Sequence, residues 1–138
     1  MKASLNAIDL IKRHEGLRLH EYCCPGGYLT IGWGHRIEAP MSIGLERAEQ
    51  WFKEDIATVE KGINSIGVVL NQNQFDALAS FVFNFGINVL KRSTLLKKIQ
   101  DGDPTAPGEF GRWIFSKKTP LPGLIKRRAE EALLFIGG

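Results

Sequence analysis

The sequence predicts an α+β fold in which a mostly helical body carries a small β-hairpin lobe near the N-terminus. Apolar residues recur at helical spacing over most of the chain. Residues 22–35 differ, because β-branched and aromatic residues there flank a Pro-Gly-Gly turn, a pattern typical of two short antiparallel strands. The natural place for a cleft is between the lobe and the body.

The length of the chain fits one domain. Its 138 residues can bury a single core, and a composition of 43% hydrophobic and 24% charged residues excludes intrinsic disorder. We therefore expect one domain over residues 1–138. The hairpin lobe is predicted to cover roughly residues 17–40, and the helical lobe residues 1–16 and 43–138.

The first predicted helix ends in a carboxylate. Ser4 is a suitable N-cap, and Gly16 stops the helix directly after Glu15. On a helical wheel Glu15 falls between Ile8 and Ile11, so its carboxyl group extends the buried stripe. Desolvation favours the protonated form of a carboxyl group, which a general acid catalyst needs. A structural glutamate satisfied by a nearby Arg or Lys is the alternative at this point.

The second strand of the hairpin is predicted to have two different faces. Thr30 shares one face with Gly32 and Gly34, whereas Ile31 and the other apolar residues occupy the opposite face. We therefore expect Thr30 to point away from the apolar packing. The glycine-lined face is predicted to be free for a ligand.

The rest of the chain is predicted to be helical, with Gly and Pro residues between the helices. The most buried helix is expected to begin with a capping box formed by Asn71 and Gln74. The predicted helices cover about residues 43–61, 72–85, 94–100, 109–116 and 122–135.

The charge balance and the cysteine content limit the classes of partner and cofactor that we expect. Lys and Arg number 18 against 15 Asp and Glu, which favours anionic surfaces but lacks the dense basic stripe of a nucleic-acid-binding protein. Cys23 and Cys24 are adjacent, so they provide neither a disulfide framework nor a zinc site. We expect no metal, no organic cofactor and no nucleic-acid partner.

No signal peptide or membrane span is visible in the sequence. The N-terminus lacks the apolar stretch of a secretory signal, and no segment reaches the roughly 18 uninterrupted apolar residues of a membrane span. We expect a soluble cytoplasmic protein with no stable membrane insertion.

Several segments resemble, in order along the chain, the phage lysozymes of glycoside hydrolase family 24. His14-Glu15-Gly16 opens the set, and Cys24 and Thr30 follow Glu15 at the family's spacing, with Thr30 beginning the motif Thr-Ile-Gly-Trp-Gly-His. The remaining matching segments are residues 70–78, 80–86, 92–96, 109–113 and 121–130.

The resemblance implies a lysozyme-like fold and a specific reaction. Phage lysozymes cleave the β-1,4 bond between N-acetylmuramic acid and N-acetylglucosamine in peptidoglycan, which makes Glu15 the expected general acid. Cys24 and Thr30 are expected to hold the attacking water, with inversion at the anomeric carbon as in the T-even type. The implied biology is host cell lysis by a monomer that waits in the host cytoplasm until a membrane lesion admits it to the wall.

Cys24 departs from the aspartate that is commoner in the family. A neutral thiol is a poor base, so the mechanism at this position stays open. Cys24 could orient the water, act as a thiolate base or attack the sugar directly. It could also be a small buried residue without a chemical part.

Other residues are expected to bind the glycan or to support the site. Phe83, Asn84 and Thr94 match family positions near the glycan-binding cleft, although core packing would equally explain Phe83. One of the two adjacent arginines of the last helix is expected to pair with the active-site region, unless both are solvated. His35 is expected to pair with an acid and fix the hairpin. The two arginines are Arg127 and Arg128.

Two other functions compete with a hydrolase. A lytic transglycosylase would use Glu15 alone, and the cysteine in the water-handling position keeps it open, whereas Thr30 and the family match argue against it. A non-enzymatic wall-binding or membrane-active protein would use the basic segment 124–136, in which Glu130 and Glu131 dilute the positive charge.

Overall fold

The computed structural model describes residues 1–23 and 29–137, with side chains described for residues 1–20 and 29–137. The helices are α1 (Leu5–Glu15), α2 (Leu45–Asn64), α3 (Gln72–Phe85), α4 (Ile87–Arg92), α5 (Thr94–Gln100) and α6 (Pro122–Phe135). The strands are β1 (Arg18–Cys23), β2 (Leu29–Gly32), β3 (His35–Arg36), β4 (Phe115–Ser116) and β5 (Thr119–Pro120), and a 3-10 helix covers Ala106–Arg112. Among the described helices, none is both long and apolar enough to cross a bilayer.

The predicted α+β class is confirmed, with a sheet that is slightly larger than expected. β1, β2 and β3 form an antiparallel sheet in that order. Thr30 pairs with Tyr22 on one side and with Arg36 on the other, and the pairing of β1 with β2 is irregular between Arg18 and Tyr22. The sequence prediction missed β3 because two residues are too short for a strand pattern.

Helix α3 lies at the centre of the helical body. Its segment 75–82 is buried throughout, and the helix packs against α1, α2 and α6. An apolar surface on all sides is the expected pattern for such a central helix. The predicted capping box is present, because Asn71 Oδ1 accepts from the Gln74 backbone N–H at 2.8 Å and Gln74 Oε1 accepts from the Asn71 backbone N–H at 3.0 Å.

Helix α1 is held at both ends, which fixes the position of Glu15. At its start Ser4 Oγ accepts from the Asn6 backbone N–H, and the Ser4 backbone N–H donates to Asp76 of α3 at 2.9 Å. At its end Gly16 has a φ of 69°, a left-handed conformation that breaks the helix. The predicted cap and stop are both confirmed.

The prediction of a helix over residues 109–116 is wrong. The chain forms the 3-10 helix Ala106–Arg112 and then the hairpin of β4 and β5. Pro107, Gly108 and Gly111 explain the difference, because proline removes a backbone donor and glycine is a poor α-helix former. The short helix α4 was also missed, since it has only 6 residues and follows directly on α3.

Candidate active site

Glu15 ends α1 and forms an ion pair with Arg127 of α6. The Nη1 atom of Arg127 donates to Oε2 of Glu15 at 2.6 Å. The Arg127 side chain is 4% exposed and that of Glu15 16% exposed, so the pair is shielded from water yet still reachable at the carboxylate. A charge-assisted hydrogen bond of this length fixes the carboxyl group in one orientation.

The second carboxylate oxygen of Glu15 faces the sheet at Gly34. A Cβ atom added at Gly34 would collide with Oε1 of Glu15 and would lie 3.0 Å from its Cδ atom. Gly34 also has a φ of 78°, in the left-handed region that favours glycine. The backbone between β2 and β3 can therefore approach the carboxyl group only because this residue has no side chain.

Arg127 is positioned by Ser80 of α3. Its Nε donates to Ser80 Oγ at 3.2 Å, and its Nη2 donates to the Ser80 carbonyl at 3.1 Å. Ser80 Oγ in turn donates to Oε2 of Glu131 at 2.5 Å, and Glu131 lies 3.5 Å from Arg127 Nε. Because all three residues are buried, the guanidinium that contacts Glu15 has little freedom to move.

Arg128 and Glu131 form a buried ion pair behind this group. Their atoms Nε and Oε1 lie 2.6 Å apart, and Arg128 Nη2 donates to Glu131 Oε2 at 2.8 Å. Burial raises the pKa of Glu131 and lowers the pKa of Arg128, because a desolvated group resists charging. Both arginines are buried, so the alternative that both are solvated is wrong.

A second ionic group joins α1 to α6 next to Glu15. His14 Nε2 contacts Glu130 Oε2, and Arg13 Nη1 lies 3.4 Å from Glu130 Oε1. Partial burial raises the pKa of Glu130, but the hydrogen bond with His14 and the charges of His14 and Arg13 outweigh it. The pKa of Glu130 therefore lies below its usual value.

Thr30 is buried, contrary to the expected open strand face. Its exposed fraction is 6%, and all of β2 except Leu29 is buried. A Cβ atom added at Gly32 would lie 3.6 Å from Ala48 Cβ and 3.7 Å from Ile43 Cδ1, so α2 covers the sheet there. The prediction of a free glycine-lined face is wrong at Gly32. Alternation along a strand cannot reveal a helix that packs on the second face.

Cys24 lies outside the described residues. Among the residues that the structure does describe, no group of three or more His, Cys, Asp or Glu side chains could hold a metal ion.

His35 joins the sheet to α2. Its Nδ1 lies 2.9 Å from Oδ2 of Asp55, and its ring stacks on Trp51 with a centroid distance of 4.4 Å and an interplanar angle of 23°. The guanidinium of Arg47 lies over the Trp51 ring, 5.6 Å from its centroid. The sheet is thereby held at the end from which Gly34 approaches Glu15.

The three predicted glycan-binding residues have different environments. Phe83 packs on Phe52 at a centroid distance of 5.6 Å and is partly buried. Asn84 Oδ1 is buried and has no hydrogen-bond partner among the described residues. Thr94 is exposed in the first turn of α5, directly after the N-cap Ser93.

A comparison with known protein families identifies the family to which this arrangement of residues belongs. Residues 12–131 match the model of the phage lysozymes, and these residues include both members of the pair of Glu15 and Arg127. The chain belongs to the phage lysozyme family. The resemblance predicted from the sequence is confirmed. As a phage lysozyme the chain is a glycoside hydrolase of the endolysin kind, with peptidoglycan as its substrate.

Two similar phage endolysins match over nearly their whole length, and a third matches over about half of its length. An endolysin of Acyrthosiphon pisum secondary endosymbiont phage 1 is 47% identical, with 98% of this chain and 98% of the relative covered. The endolysin of Salmonella phage P22 is 38% identical, with coverages of 96% and 97%. The endolysin of Bacillus phage PZA is longer, since the match, at 37% identity, covers all of this chain and 56% of that protein.

Solved structures show the same fold. The muramidase domain of SpmX from Asticaccaulis excentricus has a TM-score of 0.86 and 33% identity, with 99% of each chain covered. A P22 lysozyme mutant has a TM-score of 0.79 and 35% identity, also with 99% of each chain covered. The lysozyme-like fold predicted for this chain is confirmed.

The candidate active site contains partners that the sequence did not reveal. Ser80, Glu131 and Asp55 each contact a residue that was predicted, namely Arg127 or His35. Ser80 and Asp55 lie far along the chain from the residues that they contact, and Glu131 lies on an ordinary helical face. No local pattern therefore indicates their roles. The matching segment 80–86 was the only signal that contained Ser80, and Glu131 lies one residue beyond the matching segment 121–130.

Proposed function

We propose that Glu15 is the general acid of a muramidase that hydrolyses the β-1,4 bond between N-acetylmuramic acid and N-acetylglucosamine. The observation that carries this proposal is the position of its carboxyl group. Arg127 binds Oε2 at 2.6 Å, which leaves Oε1 directed at Gly34, where the sheet meets the helical body. A proton on Oε1 would be available to a leaving oxygen bound at this junction.

Arg127 also has a part in this proposal. Its guanidinium stabilises the negative charge that appears on Glu15 as the proton leaves for the departing oxygen. General acid catalysis of this kind contributes on the order of 10²- to 10⁴-fold to the rate.

Thr30 and Cys24 are proposed to place the attacking water. Thr30 lies on β2, and this strand leads directly to the turn that contains Gly34. Water held on the side of the sugar opposite to the acid gives inversion at the anomeric carbon. In this proposal Cys24 orients the water without acting as a nucleophile.

Phe83, Asn84 and Thr94 are proposed to contact the glycan. The match of these residues to family positions near the glycan-binding cleft supports this role, and Thr94 is exposed to solvent, so a glycan can reach it directly. Phe83 lies next to Asn84 on α3, the helix that also provides Ser80.

The decisive experiment compares wild type with Glu15→Gln on isolated peptidoglycan, with mass spectrometry of the released fragments. We expect wild type to release muropeptides with ordinary reducing ends and Glu15→Gln to release on the order of 10³-fold less. The matched control is Glu46→Gln, which changes an exposed glutamate of α2 and should keep full activity. Products one water lighter would establish a transglycosylase, and equal release by Glu15→Gln would refute the role of Glu15.

The cellular role is proposed to be that of a monomeric, single-domain endolysin that accumulates in the host cytoplasm and reaches the wall through a membrane lesion. Expression in the host should then leave cells intact until the membrane is permeabilised, after which turbidity should fall at once. Lysis without permeabilisation would contradict this route. Sedimentation of the purified protein at equilibrium tests the monomeric state.

A further inference from the structure

The hairpin of β4 and β5 closes with an unusual turn. Ser116 pairs with Thr119, so Lys117 and Lys118 are the two turn residues. Their φ angles are 49° and 70°. Two-residue hairpin turns require such left-handed angles, and glycine or asparagine normally supplies them, because other side chains are disfavoured there. Both lysines are exposed, so packing does not explain their presence in a strained conformation.

The hairpin is joined to α3 before β4 and to α6 after β5. Before β4, the ring of Trp113 packs on two phenylalanine rings of α3 at centroid distances of 5.6 Å. After β5, the chain enters α6 at Pro122 and continues to Arg127, the partner of Glu15. From the chain path, the Cα atoms of Lys118 and Arg127 are no more than about 22 Å apart. A polymeric substrate bound at Glu15 can reach this distance.

Positive charge is concentrated in this part of the chain. Residues 110–129 include six Lys or Arg residues and no Asp or Glu, whereas the whole chain has a net charge of only +3. The remaining residues therefore carry a net charge of −3. The three arginines of this segment pair with Glu109, Glu15 and Glu131. The three lysines are exposed and have no acidic partner among the described residues: Lys117, Lys118 and Lys126.

We propose that the turn of Lys117 and Lys118 binds the carboxylates of the peptide stems that the muramic acid units of the substrate carry. This inference rests on the proposed muramidase function and adds a second contact to it, away from the scissile bond. Ammonium groups act as compact point charges on flexible side chains, which suits carboxylates at the ends of mobile peptides. The strained turn places both lysines at the tip of the hairpin, where they are exposed.

The test removes the charge and relieves the strain with one variant, Lys117→Asn/Lys118→Gly. KM and kcat are measured on intact sacculi and on sacculi whose stem carboxylates have been converted to neutral amides. We expect KM on intact sacculi to rise about fivefold with kcat unchanged, because exposed ion pairs contribute weakly and act equally in ground and transition states. On amidated sacculi the variant and wild type should have the same KM.

Two controls separate charge from position. Lys117→Arg/Lys118→Arg keeps both charges and should retain the wild-type KM. Lys53→Gln/Lys61→Gln removes the same charge from exposed positions of α2 and should leave KM within about twofold. An equal KM on intact sacculi for wild type and Lys117→Asn/Lys118→Gly, or an equal loss on amidated sacculi, overturns the proposal. Binding to vesicles of anionic lipid is measured in parallel, and a loss of binding by Lys117→Asn/Lys118→Gly that is confined to the vesicles would also overturn the proposal and would assign the turn to a membrane.

A binding measurement keeps this proposal separate from the catalytic one. Glu15→Gln protein, with and without the turn substitutions, is sedimented with intact and amidated sacculi. The turn substitutions should weaken binding about fivefold on intact sacculi alone. If wild type releases no fragments, the muramidase proposal fails, while this binding comparison still decides whether the lysines recognise stem carboxylates.

Discussion

Gly34 shows how a single missing side chain shapes the site. Both of its constraints, a φ of 78° and the closeness of the Glu15 carboxyl group, arise at the same Cα atom. A side chain at residue 34 would fit only if the turn backbone or the carboxyl group of Glu15 moved, because the two approach each other directly. The sequence shows a glycine after Trp33, but not that it faces Glu15, since that contact joins elements that are folded together only in three dimensions.

Gly34→Ala is expected to lower both activity and stability. The added Cβ atom displaces Oε1 of Glu15, so kcat should fall by about 10²-fold or more, and the left-handed φ should cost about 1–2 kcal/mol of unfolding free energy. Steady-state kinetics and chemical denaturation measure the two effects. The control is Gly123→Ala in the first turn of α6, where nothing lies within 4 Å of an added Cβ atom. A fully active Gly34→Ala protein would show that Glu15 does not act from this position.

At the scale of elements, a helix or strand could be predicted when its sequence pattern was long enough. Helix α3 was predicted with its boundaries and its capping box, because 14 residues of mostly apolar sequence and a defined cap leave little choice. Strand β3 and the hairpin of β4 and β5 were not predicted. Each of these strands has only two residues, and its pairing depends on the neighbouring strand. Likewise, Thr30 was assigned the correct strand but the wrong exposure.

The contact between α1 and α6 predicts a pH dependence of stability. The pKa of Glu130 is lowered in the folded protein, so this carboxylate stabilises the fold above its unfolded pKa, and the contribution is lost as the pH falls through the lower folded value. Wild type should therefore exceed Glu130→Gln in Tm at pH 6, and the difference should close mostly below pH 4.5, the ordinary value for glutamate. A difference that stays constant from pH 6 to pH 3 would exclude this ionic contribution.

The lysine turn predicts that its removal stabilises the hairpin. Lys117→Asn/Lys118→Gly places residues that tolerate left-handed angles at both positions. We expect an increase of about 1–2 kcal/mol in unfolding free energy, measured by chemical denaturation. Lys117→Arg/Lys118→Arg, which keeps side chains at both positions, should show no increase. An unchanged or lower stability of the Asn-Gly variant would mean that the turn is not strained by its lysines.

At the scale of the whole molecule, the candidate active site and the core share one ionic network. Arg127 contacts Glu15 with one nitrogen and Ser80 with the other two, and Ser80 leads to Glu131 and Arg128. The sequence indicated that one arginine would approach the site. It could not indicate a buried network, because charged residues on a helix are usually solvated.

This network predicts different outcomes for stability and activity. Glu131→Gln leaves Arg128 buried without a charged partner and should cost about 3–5 kcal/mol. The double variant Arg128→Met/Glu131→Leu removes both charges and should recover most of that loss in denaturation experiments. Its activity should stay low, because Ser80 and Arg127 have lost the carboxylate that helps to hold them. Full activity of the double variant would show that the network does not position Arg127.

The double attachment of Arg127 has an evolutionary consequence. A descendant that abandons hydrolysis can replace Glu15, whose side chain lies at the edge of the fold, while Arg127 keeps its contacts with Ser80 and Glu131. Selection for folding alone would then preserve the arginine. In a survey of homologous sequences, an intact arginine at this position would therefore be poor evidence of a working enzyme, and the proposed acid Glu15 together with Gly34 would be the informative markers.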